Sequence, residues 1–213
     1  MRFYILLDTS GSMQGVKIGA LNDAMSNILA ELKHISISYA QVIDIAVLSF
    51  GKEIKWMYNH PINVGDFTWR RLSAGGMTPL GKACIELNVA LMSDQQIHDD
   101  KIYIILLSDG CPTDDYDEGI ESLFANPFFI ISNKFAIAIG DNADISVLSR
   151  FVEVDDHIYI QNKADELLDT LQNIICDINT IATDAVTKAD MDDDEWAGHQ
   201  DLKSIKIQYL MKK

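Results

Sequence analysis

Uninterrupted apolar runs predict strands that are covered on both faces. Residues 102–107, Ile-Tyr-Ile-Ile-Leu-Leu, show no alternation of polar and apolar side chains, which is expected for a central strand of a parallel sheet. Further strands are predicted at 2–7, 43–50, 134–139 and 157–160. A chain with several such strands needs helices on both sides of the sheet to cover them.

Helical patterns alternate with these strands. Apolar residues recur with a period near 3.6 in the two longest segments. The helices are predicted at 16–33, 116–125, 144–151 and 164–178. Thr78-Pro79 predicts the start of one more helix, because Thr is a good N-cap and Pro fits the first helical position. This alternation predicts an α/β fold with a doubly wound, mostly parallel, Rossmann-like sheet.

Two segments fall outside this regular pattern. Residues 53–58 follow Gly51 and are predicted to turn back as one antiparallel edge strand. After about residue 180 the composition becomes acidic, with Asp190, Asp192, Asp193, Asp194 and Glu195 close together. We therefore assign 1–180 to one domain and 181–213 to an acidic C-terminal extension. The extension is either disordered or docked on the domain, with Ile205–Leu210 as the docking segment.

Charge and cysteine usage restrict the classes of partner and compartment. The net charge of −15 would repel nucleic acid and anionic membranes, so neither is an expected partner. Cys84, Cys111 and Cys176 are odd in number and have no zinc-motif or disulfide-framework spacing. No segment approaches the ~20 apolar residues of a membrane span, and the N-terminus lacks a signal-peptide core. We therefore expect a cytoplasmic protein.

Three sequence-distant segments place oxygen ligands where strands end or helices begin. Asp8, Ser10 and Ser12 follow the first strand, Thr78 precedes a helix, and Asp109 follows the strand at 102–107. In open α/β sheets, loops at the carboxyl ends of the strands converge on the ligand site. All of these ligands are hard oxygens, so we expect Mg²⁺, with Mn²⁺ or Ca²⁺ as alternatives.

The charge of this ligand set indicates what a bound cation would do. Only Asp8 and Asp109 are negative, so the cation would keep positive character and an exchangeable position. A carboxylate from another protein would fill that position. Each motif alone is weak, but all three occur in order and each lies at a predicted element boundary.

The motifs Asp8-x-Ser10-x-Ser12, Thr78 and Ser108-Asp109-Gly110 resemble the metal-ion-dependent adhesion site of von Willebrand factor A domains. The resemblance covers roughly residues 1–178. It implies that the hydroxyls of Ser10, Ser12 and Thr78 bind the metal directly. Asp8 and Asp109 are then expected to bind it mainly through water molecules or to contact the direct ligands instead of the metal. It also implies a non-enzymatic module that binds an acidic residue of a partner protein.

Within that family the chain most resembles the bacterial TerY type, which is associated with tellurite resistance and stress operons. The resemblance is carried by segments 6–13, 75–81 and 107–114. It implies a scaffold in a phosphorylation module with a Ser/Thr protein kinase and a PP2C-type phosphatase as partners.

Two other functions remain open from the residues alone. A phosphohydrolase of the haloacid-dehalogenase type also has a strand-end Asp, but it needs a second Asp two residues later, where this chain has Ser10. A structural subunit, in which the metal only stiffens the three loops, is the other alternative.

Acidic residues beyond the motifs are predicted to serve helix starts. Asp114, Asp115, Asp117 and Glu118 are expected to favour the start of the helix that follows them. Asp141 and Asp144 are expected to have loop and N-cap roles.

Overall fold

A computed structural model of the chain describes residues 1–94, 97, 101–109, 111–141, 143–152, 157–161 and 166–175. The strands are β1 (Arg2–Asp8), β2 (Asp44–Phe50), β3 (Ile54–Trp56), β4 (Ile62–Asn63), β5 (Ile102–Ser108), β6 (Asn133–Ile139) and β7 (Ile158–Gln161). The helices are α1 (Val16–Ser38), α2 (Leu80–Ser93), α3 (Tyr116–Phe124), α4 (Pro127–Ile131) and α5 (Ile145–Val152). Residues 166–175 are also helical.

The strands form a mixed sheet in the order β3-β2-β1-β5-β6-β7, with β4 also pairing with β2. Strands β1, β2, β5, β6 and β7 are parallel, whereas β3 and β4 run antiparallel to β2. The predicted doubly wound, mostly parallel α/β fold with an antiparallel edge is therefore confirmed. The edge is divided between two short segments, and β4, with only two residues, was not predicted.

The two central strands are buried along their whole length, as their apolar sequences predict. All seven residues of β1 and all seven of β5 are buried. Tyr4 and Leu6 belong to a core that includes residues of α2, α3 and α5. Phe3, Ile5 and Leu7 point to the other face, because successive side chains of a strand alternate, and they are equally buried.

The predicted boundaries of α3 and α5 agree with the structure to within one residue, whereas α1 and α4 differ from the predictions. Helix α1 continues to Ser38, five residues beyond its predicted end. Helix α4 was not predicted, because five residues are too few to show a helical period. It begins at Pro127, and the amide oxygen of Asn126 caps it by accepting hydrogen bonds from the N–H groups of Phe128 (2.9 Å) and Phe129 (3.4 Å). For the predicted helix 164–178, residues 166–175 are helical and the rest lie outside the described residues.

The predicted capping of α2 by Thr78 is wrong. Helix α2 begins at Leu80, so Pro79 occupies the N-cap position and supplies no side-chain cap. The cap comes instead from Asp114, whose carboxylate accepts hydrogen bonds from the N–H groups of Gly81 (2.9 Å) and Lys82 (2.8 Å). A carboxylate from a distant loop therefore satisfies the first N–H groups of the helix, and Thr78 does not cap it.

The same contact corrects the prediction for Asp114, which serves α2 rather than the helix that follows it. Asp115 is the N-cap of α3 and accepts a hydrogen bond from the N–H of Glu118 at 3.1 Å, as expected. Asp117 and Glu118 lie in the first turn of α3, where negative charge is favourable. The predicted N-cap role of Asp144 is also confirmed, since its carboxylate accepts hydrogen bonds from the first N–H groups of α5.

The chain divides into two compact units, residues 1–168 and 169–213. The seven described strands belong to the first unit, and the described part of the second is the helical stretch 169–175. The predicted domain boundary at residue 180, the extension 181–213 and its segment Ile205–Leu210 lie outside the described residues. In the part of the chain that the structure describes, no helix is long and apolar enough to cross a membrane.

Candidate metal centre

The candidate site lies where the strand order of the sheet reverses. From β1 the chain moves to β2 on one side and later returns to β5 on the other side of β1. Leu7 of β1 is aligned with Leu107 of β5, which brings Asp8 and Ser108 to adjacent positions at the carboxyl edge. Such a reversal opens a crevice between neighbouring loops, as expected for a ligand site in this class of sheet.

Asp8 lies at the bottom of this crevice. Its side chain has no solvent exposure. Oδ1 accepts a hydrogen bond from the N–H of Ser10 at 2.8 Å, and Oδ2 accepts one from the hydroxyl of Ser108 at 2.6 Å. Burial raises the pKa of Asp8; the hydrogen bonds from Ser10 and Ser108 lower it, and the nearby charge of Asp109 raises it further. The carboxylate is thus held in one orientation in a place that disfavours its charge.

Ser10 and Ser12 place two hydroxyls together above the end of β1. Their Oγ atoms are 2.9 Å apart, with Ser10 buried and Ser12 exposed. Both belong to a tight turn in which Gly11–Met13 forms one 3₁₀ turn, and the fully buried Met13 anchors it. The turn therefore brings together the hydroxyls of one buried and one exposed serine.

The second loop is joined to the first through backbone hydrogen bonds. The N–H of Gly75 donates to the carbonyl of Thr9 (2.7 Å), and the N–H of Gly11 donates to the carbonyl of Gly76 (3.0 Å). Gly76 has φ +83°, and a Cβ at this position would lie 2.6 Å from the Cα of Lys52. Only glycine at position 76 allows the second loop to approach the turn after β2 this closely, so Gly76 has a specific structural role, whereas a Cβ on Gly75 would meet open space.

Thr78 joins the second loop to the third. Its N–H donates to the hydroxyl of Thr113 at 3.0 Å, and the N–H of Thr113 donates to the carbonyl of Thr78 at 2.9 Å. Thr78 is buried. Sequence reasoning missed Thr113, because nothing in the local sequence indicates a partner 35 residues away.

Asp109 follows β5 and is also buried. Its Oδ1 faces the N–H of Cys111 at 3.4 Å, and its carbonyl accepts a hydrogen bond from the N–H of Asp144 at 2.7 Å. The charge of Asp109 acts on Asp8 across the crevice. The structure therefore brings together the three loops that carry the five predicted ligands. Ser108, which was noted only as part of a motif, is also a direct partner of Asp8.

The residues of the crevice fit a hard divalent cation. Asp8 and Asp109 are both buried, and among the described residues no Lys or Arg forms an ion pair with either. Two neighbouring buried carboxylates without a cation are unfavourable, and a divalent ion would offset that cost. In the described ranges no three His, Cys, Asp or Glu side chains cluster as a metal site, so any site here depends on hydroxyl ligands.

Comparison with known proteins finds similarity in structure but none in sequence. No family model and no curated protein sequence matches the chain. A von Willebrand factor type A structure from Catenulispora acidiphila matches with a TM-score of 0.61 and 17% identity, over 81% of this chain and 41% of that one. The von Willebrand factor domain of the type V pilus tip protein Mfa5 from Porphyromonas gingivalis matches with a TM-score of 0.63 and 10% identity, over 84% of this chain and 95% of that one.

A third matching structure contains a metal ion. Proximal thread matrix protein 1 from the mussel byssus, solved with zinc in its metal-ion-dependent adhesion motif, matches with a TM-score of 0.59 and 13% identity. The match covers 82% of this chain and 44% of that one. The chain spans between 30% and 46% of the length of the first solved structures that it matches. The chain has the von Willebrand factor A fold, and at these identities the similarity establishes the fold alone.

Proposed function

We propose that this protein is a metal-dependent protein–protein interaction module that binds an acidic side chain of a partner through a divalent cation. The observation that carries the proposal is the fully buried Asp8 beside the buried Asp109, with no ion pair to a Lys or Arg of the described chain. Mg²⁺ is the ion we expect, with Mn²⁺ or Ca²⁺ as alternatives. The zinc in the mussel adhesion motif adds Zn²⁺ to the ions worth testing.

The five predicted ligands have different roles in this proposal. Ser10, Ser12 and Thr78 supply hydroxyl ligands, while Asp8 and Asp109 supply the negative charge that attracts the cation. When bound, the cation supplies an electrophilic position for a carboxylate from another molecule. Only one hydroxyl of the first loop, that of Ser12, is exposed, so the partner approaches from the side of the crevice where Ser12 lies.

We propose that the module is not an enzyme. A haloacid-dehalogenase-type phosphohydrolase needs a second carboxylate as general acid two residues after the strand-end Asp. Here that residue is Ser10, whose hydroxyl contacts the hydroxyl of Ser12 at 2.9 Å. Release of phosphate from an aryl phosphate in Mg²⁺, lost on Asp8→Ala, would contradict this part of the proposal.

We further propose that the protein is of the bacterial TerY type, with a Ser/Thr kinase and a PP2C-type phosphatase as partners in a tellurite or stress response. This assignment depends on the motif segments 6–13, 75–81 and 107–114, and the cytoplasmic location is a prediction from composition. The test is therefore designed so that these finer statements can fail while metal-dependent binding stands.

Metal binding is the first step of the test. The protein is titrated calorimetrically with Mg²⁺, Mn²⁺, Ca²⁺ and Zn²⁺, and Thr78→Ala is compared with Thr68→Ala. Thr68 is exposed and outside the crevice, so its variant serves as a matched control for loss of one threonine hydroxyl. We expect weaker metal binding for Thr78→Ala and wild-type affinity for Thr68→Ala.

Partner binding is the second step. Wild-type protein in Mg²⁺, wild-type protein in EDTA and Asp8→Ala in Mg²⁺ serve as baits in extracts of the native host. For each retained protein, chelation or Asp8→Ala should weaken binding at least ~10-fold, roughly 1.4 kcal/mol. A kinase or phosphatase among those proteins would support the TerY-type assignment. Equal retention by all three baits would refute metal-dependent docking. Thr78→Ala is used as a fourth bait, and a lowered melting temperature of this variant with the partner still retained would instead indicate a structural metal.

A further inference from the structure

A cavity of about 610 Å³ lies near the amino-terminal end of β1, away from the metal centre. Arg2 and Tyr4 of β1 line it, together with the segment 56–61 on one side and α2 on the other. Arg2 is six residues from Asp8 along an extended strand, a distance of about 20 Å. The cavity is therefore a separate feature, and its size is within the range of small-ligand sites.

The floor of this cavity is formed by buried, paired charges. The guanidinium of Arg2, which is 3% exposed, pairs with Asp94 and, at 3.0 Å, with Asp44. The hydroxyl of Tyr4 donates a hydrogen bond to Oδ2 of Asp94 at 2.7 Å. Burial raises the pKa of Tyr4, so its hydroxyl stays protonated. Among the described residues two carboxylates face this guanidinium, so the positive charge of Arg2 is offset.

The walls add aromatic rings and another carboxylate. Trp56 lines the cavity and contacts the ring of Tyr4 edge-on, with centroids 6.3 Å apart. Tyr58 also lines it, and its ring already holds a cation, since the guanidinium carbon of Arg70 lies 5.0 Å from the ring centroid. On the opposite wall, Glu86 of α2 is exposed at the mouth.

We propose that this cavity binds an organic cation, namely an ammonium or guanidinium group carried on an aliphatic stem. The carboxylates of Asp94 and Glu86 line the cavity and favour a cation, and the ring of Trp56 attracts cations through its face, whereas the ring of Tyr58 already contacts Arg70. Val89, which is 58% exposed at the rim, provides an apolar surface for the stem. The charge of Arg2 does not oppose this binding, because Asp44 and Asp94 neutralise it. The site is independent of the metal-dependent function proposed above.

The experiment uses the full chain and two probes that share this chemistry. Spermidine represents a free amine, and a capped tripeptide with a central arginine represents a side chain of another protein. Each is titrated calorimetrically in EDTA, so the metal centre does not contribute. We expect saturable binding of at least one probe, and the tighter probe identifies the source. The acetylated, uncharged form of spermidine should not bind.

Three variants separate the cavity from bulk attraction to an acidic chain. Glu86→Gln should weaken binding about 3-fold, as expected for one exposed charge pair. Trp56→Leu should weaken it about 10-fold through loss of the cation–ring contact. Glu121→Gln removes a charge from the exposed part of α3, outside the cavity, and should change nothing. Circular dichroism checks that each variant is folded.

Three results would overturn the proposal. They are equal dissociation constants for Glu86→Gln and Glu121→Gln, binding of the acetylated probe as tight as that of spermidine, and no saturation by either probe below roughly 1 mM. Since Glu86 is exposed on a helix surface, its variant is expected to fold, and the test does not depend on Trp56→Leu remaining intact.

Discussion

Asp8→Asn should change the stability of the protein in opposite directions with and without a divalent cation. The side chain has no solvent exposure, and its two oxygens accept hydrogen bonds from Ser10 N–H and Ser108 Oγ. An asparagine amide fits the same contacts, because its oxygen accepts from Ser10 while its N–H donates to the rotated hydroxyl of Ser108. The substitution therefore removes the charge and keeps the geometry.

The magnitudes follow from the cost of the buried charge and the gain from the cation. In EDTA the variant should be more stable by about 1 kcal/mol, because the two hydrogen bonds offset only part of the cost of burying a carboxylate. At a cation concentration 100 times the dissociation constant, wild type gains about 2.7 kcal/mol and the variant gains little. The variant should then be less stable than wild type by about 2 kcal/mol, a difference of roughly 4–8 °C in melting temperature.

Urea unfolding followed by circular dichroism, in EDTA and in saturating Mg²⁺, measures both differences. Asp66→Asn is the matched control, since Asp66 is exposed on a loop outside the crevice and should behave as wild type in both buffers. A stability difference for Asp8→Asn with the same sign in both buffers would refute the reasoning. In that case the charge of Asp8 is either compensated within the protein or not used to bind a cation.

Three further predictions concern pH and packing. Burial raises the pKa of Asp8 above the value of about 4 that it has in the unfolded chain, so the unfolding free energy of the metal-free protein should fall as pH rises from about 4 through the folded pKa. Asp8→Asn should lack this pH-dependent contribution when both proteins are unfolded with urea. Gly81→Ala should lower the free energy of unfolding by about 1–3 kcal/mol, because a Cβ would lie 2.1 Å from the carbonyl oxygen of Asp115. Gly19 has open space around it in α1, so Gly19→Ala should raise the free energy of unfolding by about 1 kcal/mol in the same assay. Asp114→Ala should cost about 1 kcal/mol of thermal stability by removing the cap of α2, and an unchanged melting temperature would show that solvent replaces the cap.

Local sequence patterns were sufficient for the fold class and for the loops of the candidate site. Uniform apolar runs mark β1 and β5 as central strands, since a strand covered on both faces cannot alternate. Helical periodicity marks α1, although its last turn was missed. The failures are short elements: β4 and α4 have two and five residues, and neither length can show a period.

Contacts between distant loops were beyond sequence reasoning. Thr78 was assigned to the start of α2, which is a local statement about one residue and its neighbours. In the folded chain Asp114 caps that helix and Thr78 pairs with Thr113, since the loop after β5 passes over the N-terminus of α2. Local preference for a cap is worth only about 1 kcal/mol, so tertiary packing overrides it.

The chain's order of residues was enough to specify which chemical groups follow which strand, because strand and helix periods are properties of consecutive residues. It placed Asp8, Ser10, Ser12, Thr78 and Asp109 at element boundaries. The tertiary packing of the sheet determined which distant residues meet. Asp8 is buried against Ser108, 100 residues away, and Arg2 pairs with both Asp44 and Asp94. These contacts depend on strand order and loop approach in three dimensions, which no local period encodes.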